Sequence, residues 1–92
     1  MKLRVIDNPS ELRYELWSAD TLVGMIRYTR DGDVLTLVHT EVEPAFEGGG
    51  LGATLVAGAL DDVRARGKRI RPFCPFVAAY IRSHPEYADL VA

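Results

Sequence analysis

The stretch Val42-Glu-Pro-Ala-Phe-Glu-Gly-Gly-Gly-Leu-Gly-Ala53 places four glycines between a strand-like segment and a helix-like segment. Glycine is used where a backbone turns sharply or lies close to another group. A helix that begins at about Leu51 would present unpaired backbone N–H groups and a partial positive charge to this loop. Such a helix start is a seat for anions, most often for phosphate. The loop therefore predicts a phosphate-binding site, and we expect the rest of the chain to hold it beside Cys74, the only cysteine.

The chain before the loop has the pattern of an antiparallel meander. Short segments of alternating or β-branched residues are separated by tight turns, such as Ala19-Asp20 and Arg30–Asp33. Strands are predicted over 3–6, 13–18, 21–29 and 34–42. The last of these is apolar on both faces, which favours a central strand covered on both sides.

The chain after the loop changes character. Apolar residues at helical spacing predict a helix over 51–66, and a short strand is expected over 69–73. Pro75 suits the first position of a second helix, which runs to about Ser83 and places Cys74 at its N-cap. A short last helical turn is expected over 85–91. The order β-β-β-β-α-β-α predicts an α+β fold: a meander followed by β-α-β-α, with a mixed central sheet, a right-handed crossover and two main helices.

Composition limits the class of protein. Ninety-two residues predict a single domain over 1–92, and a net charge of −2 disfavours a general nucleic-acid binder. One cysteine excludes an internal disulfide. The first residues lack the apolar run of a signal peptide, and no apolar run approaches the ~20 residues of a membrane span. We therefore expect a cytoplasmic protein that does not bind membranes.

Two familiar phosphate loops do not fit the glycine stretch. A P-loop requires Lys followed by Ser or Thr after its last glycine, where this chain has Leu51 and Gly52. Gly48-x-Gly50-x-x-Ala53 does match the dinucleotide fingerprint. That fingerprint, however, follows the first strand of a parallel sheet and needs an acidic residue near position 71, which here is Arg71. A simple flexible turn is the plain alternative for the glycines by themselves.

A resemblance supplies a third interpretation. The stretch from Val42 to Ala53 resembles the acetyl-CoA-binding segment of the GNAT N-acetyltransferase superfamily, which reads Val-x-Pro-x-(Tyr/Phe)-(Arg/Gln)-Gly-x-Gly-x-(Gly/Ala). His39-Thr40-Glu41-Val42 and Cys74-Pro75-Phe76 are similar to the paired motifs of its small, single-domain Yjdj-type branch. The resemblance covers roughly residues 20 to 91. The chain departs from the pattern at Glu47, where the family usually has Arg or Gln.

The resemblance implies an acetyl-CoA-dependent N-acetyltransferase, whose acceptor is an unidentified amine, such as a protein or peptide amine. No metal site is expected, because one cysteine and two histidines at unrelated spacings match no ligand pattern. The turns between the first strands leave no space for the two helices that help larger members form the acceptor site. The acceptor would therefore meet an open surface or a site completed by a second copy, and a monomer or weak homodimer is expected. The implied cofactor-binding residues are Val42, Gly48, Gly49, Gly50, Leu51, Gly52 and Ala53.

Four side chains are candidates for the chemistry. Cys74, at a helix start that favours its thiolate, could accept acetyl covalently or could position other groups during direct transfer; a buried packing role is the alternative. His39 and Glu41, two residues apart on one strand face, are candidate bases, although a structural histidine and a solvated edge carboxylate explain them as well. Tyr80 matches the tyrosine on the last helix with which many family members protonate the departing thiolate, or it simply packs.

Two functions of other classes remain open at this point. The shortness of the chain is compatible with a module that binds CoA or acyl-CoA without turnover. A thiol redox protein that uses Cys74 is a weaker alternative, because the chain has no second, resolving cysteine.

Overall fold

A computed structural model describes residues 2–92, and within them five strands form one sheet that carries two helices. The elements are β1 (Leu3–Asn8), β2 (Arg13–Ser18), β3 (Thr21–Asp31), β4 (Val34–Val42), α1 (Leu51–Ala65), β5 (Arg69–Pro72) and α2 (Pro75–Ser83). Short 3-10 turns cover Pro44–Phe46 and Pro85–Leu90. The predicted α+β class and the order of elements are confirmed. The differences are small: β1 and β3 each run two residues further than predicted, and α1 and β5 each end one residue earlier.

The sheet is mixed, as predicted. Strands β1 to β4 pair in sequence order and antiparallel, because each is joined to the next by a short turn. Strand β5 lies beside β4 and parallel to it, since α1 carries the chain back to the start of β4. The pairing of these two strands is short and joins Val34–Leu37 to Arg69–Pro72.

The core lies between one face of the sheet and the helices. Helix α1 buries a stripe at helical spacing, which includes Leu55, Ala59 and Val63, against β-strand residues such as Leu37 and Ile70. Burial of each large aliphatic side chain stabilises the fold by about 1.5–3 kcal/mol relative to exposure. This single layer of contacts fixes the position of α1, and therefore of the glycine loop, relative to β4.

A β-bulge interrupts β4 at Val38. Arg27 pairs with His39 and Tyr28 pairs with Leu37, so Val38 has no partner of its own on β3. A bulge reverses the alternation of side chains beyond it. Leu37 therefore points toward the helices before the bulge, whereas Thr40 does so after it.

The prediction that β4 is covered on both faces is wrong. Leu35 and Leu37 are buried, but the opposite face is open, and 46% of Val38 is exposed. The reason is the length of the turns between the first four strands, which are too short to contain a helix that would lie on that face. We call this second surface the open face of the sheet.

Glu15 anchors the open face. It is the one buried charged residue among residues 2–92, with 3% of its surface exposed. Its carboxylate accepts hydrogen bonds from Arg13 Nε at 2.7 Å, Asn8 Nδ2 at 3.0 Å and Trp17 Nε1 at 3.0 Å. Burial alone would raise the pKa of Glu15, but the three donors stabilise the carboxylate, and the net pKa lies below its ordinary value.

We expect Glu15→Gln to lower the free energy of unfolding by about 1–3 kcal/mol at neutral pH, because an amide cannot satisfy three donors. The pKa of Glu15 is lower in the folded chain than in the unfolded chain. Its contribution is therefore present above the ordinary pKa of glutamate and is lost as the pH falls through the lowered folded value. Urea unfolding at several pH values should show the difference from wild type shrinking in acid.

The exposed Glu11 offers a matched control for this substitution. Glu11→Gln should leave the free energy of unfolding within about 0.5 kcal/mol of wild type. A difference between Glu15→Gln and wild type that did not change with pH would contradict the account.

Candidate functional site

The candidate site is a wedge-shaped gap between the second half of β4 and the start of α2. The backbone N–H of Cys74 donates to the C=O of Leu37 at 2.8 Å. At this point the segment that follows β5 separates from β4. Among residues 2–92, no strand pairs with that edge of β4 beyond Leu37, although β4 continues to Val42. The divergence leaves a stretch of β4 backbone facing the gap.

The backbone polar groups of Thr40 and Val42 are directed into this gap. The N–H of Glu43 donates to the C=O of Val23 on β3 at 2.7 Å. Neighbouring residues in a strand direct their backbone groups to opposite sides, so Thr40 and Val42 face away from β3. An unpaired strand edge of this kind can pair with another extended chain.

A cavity of about 340 Å³ occupies the gap and reaches the glycine loop. Its volume lies within the range of small-molecule sites. The lining combines the end of β4, the loop, the start of α1 and one residue of α2. The lining residues are Thr40, Val42, Phe46, Glu47, Gly48, Gly50, Leu51, Gly52 and Phe76.

The glycine loop is shaped by left-handed backbone conformations. Gly48 and Gly50 have φ angles of 85° and 75°, a region that other residues adopt only with strain. Gly50 is the N-cap of α1, and no side chain caps this helix start. The backbone N–H groups of the first turn therefore lie beside the cavity without a side-chain acceptor, which favours an anion there.

Gly52 has a different purpose. A methyl group added to it would lie 2.9 Å from Cζ of Phe76, which is closer than side-chain carbons approach each other. Glycine at this position therefore lets α1 start directly against the aromatic ring of α2. Of the other predicted cofactor-binding residues, Val42 and Leu51 line the cavity, whereas Gly49 and Ala53 do not.

Cys74 lies just behind the wall of the cavity. It is the N-cap of α2, as predicted, and only 4% of its surface is exposed. Its Sγ lies 3.2 Å from Oγ1 of Thr40, and Thr40 itself lines the cavity. The structure therefore brings Cys74 together with Thr40, and Thr40 connects the sulfur with the gap.

His39 and Glu41 lie on the open face. His39 Nε2 and Glu41 Oε1 are 3.0 Å apart, and more than half of each side chain is exposed. Because Thr40 lies between them in the strand, they point away from the face on which Thr40 meets Cys74. The structure pairs them with each other and does not bring them together with Cys74.

Tyr80 also lies apart from the cavity. Its ring stacks on His84 with 3.9 Å between ring centroids, and both residues line a separate surface groove. Burial, with a smaller contribution from the charges of Glu86 and Asp61, raises the pKa of Tyr80. The phenol is therefore protonated at neutral pH, but it is held among the residues that end α2.

Sequence reasoning missed three residues of the site. Thr40 was quoted only as part of a motif, although its spacing of two from Val42 puts the two residues on one face of a strand. Phe46 and Phe76 close the cavity at either side of the glycine loop. No sequence signal distinguishes these two aromatic residues from ordinary core residues, because their role depends on how α2 meets α1.

Metal-ligand clusters and membrane-spanning helices are both absent from the described residues. Within residues 2–92, no cluster of three or more histidine, cysteine or carboxylate side chains is placed to hold a metal ion. In the same residues, no helix has the length and apolar character needed to cross a membrane.

Comparison with known proteins gives one family and one fold. The family model described as "GCN5-related N-acetyl-transferase" matches residues 13–90. No curated protein matches the sequence. The NMR solution structure of a GCN5-like N-acetyltransferase candidate from Staphylococcus aureus is similar, with a TM-score of 0.70 and 20% identity over 98% of this chain and 88% of that one.

A second solved structure is the ribosomal-protein-S18-alanine N-acetyltransferase from Escherichia coli, with a TM-score of 0.63 and 21% identity. The match covers 84% of this chain, which spans about half (53%) of the length of that protein. At these identities, the two structural matches bear on the fold alone. They confirm the predicted minimal GNAT-like architecture.

The contact between Thr40 and Cys74 makes a testable prediction. Cys74 is buried, so the loss of this contact is not replaced by water. Thr40→Val should therefore lower the free energy of unfolding by about 0.5–1.5 kcal/mol in urea unfolding, because the sulfur loses its hydrogen-bond partner. In Cys74→Ala, where the sulfur is absent, the same Thr40→Val substitution should cost less. An equal cost of Thr40→Val with and without the sulfur would show that the contact does not stabilise the fold.

Proposed function

We propose that this chain, which belongs to the GCN5-related N-acetyltransferase family, transfers acetyl from acetyl-CoA to an amine. The observation that carries the proposal is the gap between β4 and α2. It joins an unpaired strand edge to an uncapped helix start at the glycine loop. A ligand that combines an extended amide chain with a pyrophosphate has the chemistry to fill both parts.

In this proposal, the pantetheine arm pairs with β4 as an added strand. The backbone groups of Thr40 and Val42 would bond to its two amides, and an N–H there would also polarise the thioester carbonyl. The pyrophosphate would lie at the N–H groups of the loop and of the first turn of α1. Glu47 also lines this cavity, and its negative charge opposes the pyrophosphate.

The proposed reaction is a direct transfer. The neutral amine nitrogen attacks the thioester carbonyl carbon, the C–N bond forms and the C–S bond breaks. CoA leaves as the thiolate, and the proton lost by the amine balances the charge on sulfur. The burial of Cys74 favours this route over an acetyl-cysteine intermediate, because acetylation of Sγ would require Thr40 to move.

The exposed pair of His39 and Glu41 is the proposed proton acceptor on the amine side. Cys74 and Thr40 are then proposed to position the reacting end of the donor. Tyr80 is the weakest of the proposed catalytic residues, because it lines a groove other than the cavity. A module that binds CoA without turnover is the second candidate, because the candidate bases His39 and Glu41 do not line the cavity proposed for CoA.

Several finer points stay predictions. They are the Yjdj-type branch, a single domain over 1–92, a cytoplasmic location, the absence of nucleic-acid, membrane and metal binding, and a monomeric or weakly dimeric state. The dependence on acetyl-CoA belongs to the proposal itself.

Gly50 and Gly67 offer a matched pair for testing the CoA site. Both have positive φ angles, 75° and 67°, and an added methyl group would meet no atom within 4 Å at either. Gly50 starts α1 at the cavity, whereas Gly67 follows the other end of the same helix. Substitution by alanine should therefore cost the same strain energy at both positions, about 1–2 kcal/mol.

We expect Gly50→Ala to weaken CoA binding about tenfold, equivalent to one lost charge-assisted backbone contact, as measured by calorimetry. Gly67→Ala should bind CoA as wild type does, although it is destabilised equally. An equal loss of affinity in both variants would mean that stability, not the loop, controls binding. Absence of CoA binding to the wild-type protein would overturn the proposed site.

The reaction itself is tested by CoA release from acetyl-CoA in the presence of a panel of amines. We expect release that depends on the amine and no stable acetyl adduct by intact mass. Cys74→Ala should retain most of this activity if transfer is direct. An acetyl adduct that Cys74→Ala abolishes would establish the covalent route. CoA binding without release of CoA from acetyl-CoA for any amine would support the non-catalytic module instead.

A further inference from the structure

A second cavity, of about 370 Å³, lies at the start of β3 and the end of β4. It shares Thr40, Val42 and Glu47 with the first cavity, so the last residues of β4 form a wall common to both. Met25 and Glu41, which pair across the two strands, belong to its lining. They lie on the open face, because their strand neighbours Ile26 and Thr40 face the helices. The second cavity therefore reaches the proposed reacting centre from the side opposite the helices.

The second cavity has an apolar floor and an acidic rim. Leu22, Met25 and Pro44 supply apolar surface, and three carboxylates, those of Glu41, Glu43 and Glu47, complete the lining. Within residues 2–92, Glu43 and Glu47 form no ion pair, and the Glu41 carboxylate pairs only with His39.

One cation that touches the lining of the second cavity is already engaged. Arg13 touches the Met25 sulfur at 3.6 Å, but its guanidinium bonds to Glu15 at 2.7 Å. Arg13 is therefore not free to neutralise the rim of the second cavity. The carboxylates of Glu43 and Glu47, which form no ion pair within residues 2–92, can bind a cationic ligand.

We propose that the second cavity binds the acetyl acceptor, and that the acceptor is a short aliphatic amine with at least two positive charges. The methylenes lie against Leu22 and Met25, one ammonium is held by Glu43 and Glu47, and the amine that reacts lies by Glu41 and Thr40. This proposal rests on the proposed acetyl-CoA function and deepens it, because it assigns the acceptor class and the side of β4 from which it arrives.

The proposal also explains the position of Glu47. A carboxylate that lines the first cavity weakens the binding of a pyrophosphate, but the same carboxylate lines the second cavity. A bound diamine neutralises the charge of Glu47 and removes that penalty. By linkage, the diamine and CoA each raise the affinity for the other by the same factor.

The test compares 1,4-diaminobutane with 1-aminobutane, which has the same carbon chain and one charge fewer. In low salt, the diamine should shift the Met25 methyl signal in NMR spectra at about tenfold lower concentration than the monoamine. The reason is that each exposed ion pair with a rim carboxylate raises the affinity by a few-fold. Glu43→Gln should weaken the diamine about threefold and leave the monoamine less affected. Glu11→Gln, far along the chain at an exposed turn, is the control and should match wild type.

The same two amines test the coupling. Saturating diamine should raise the affinity for CoA about threefold, the monoamine should raise it less, and Glu47→Gln should abolish the difference. If the protein binds CoA but binds the two amines with equal affinity, the diamine proposal is overturned and the proposed function stays intact. If the wild-type protein does not bind CoA but the diamine still shifts the Met25 methyl signal, the proposed function is overturned and the assignment of the second cavity is kept. A lysine-rich peptide that is acetylated in preference to the diamine would overturn the assignment to a small amine.

Discussion

The one-residue bulge at Val38 is the constraint on which the candidate site depends. Before it, Leu35 and Leu37 point into the core, and β4 pairs with β5. After it, the alternation is reversed, so Thr40 and Val42 point toward the helices, and Thr40 meets the sulfur of Cys74. If β4 were a regular strand through Val38, His39 and Glu41 would share the face of Leu37 and would point toward the helices in their place. The bulge thus decides which residues of the strand meet the sulfur and which meet the solvent.

The short turns of the first half have an equally direct consequence. Because no helix is inserted between the first four strands, one face of the sheet is open, and the chain stabilises that face with the buried carboxylate of Glu15 and its three donors. The same openness leaves the acidic cavity at the start of β3 and the end of β4 accessible. In the proposed function, the absence of such helices gives access to the reacting centre from both sides of β4, one side for each proposed substrate.

The architecture was predictable from sequence because local signals agree with the global fold. Tight turns define the meander, Pro75 marks the start of α2, and Cys74 is the N-cap that this proline predicts. The glycine loop was recognisable for the same reason. The detail of the site was not predictable, because a bulge at Val38 leaves no mark in an apolar strand. The contact of Thr40 with Cys74 and the approach of Phe76 to Gly52 join residues that are distant in the chain. The open face of β4 was mispredicted because its apolar residues suggested cover on both sides.

The most direct test of the central claim is a crystal structure of the protein with CoA bound. The account predicts that the pantetheine amides bond to the backbone of Thr40 and Val42 at about 2.9 Å, with the sulfur of CoA on the Thr40 side of the gap. The pyrophosphate should lie within hydrogen-bond distance of the N–H groups at the start of α1. A CoA arm that lies outside the gap, with the β4 edge still unpaired, would contradict the account.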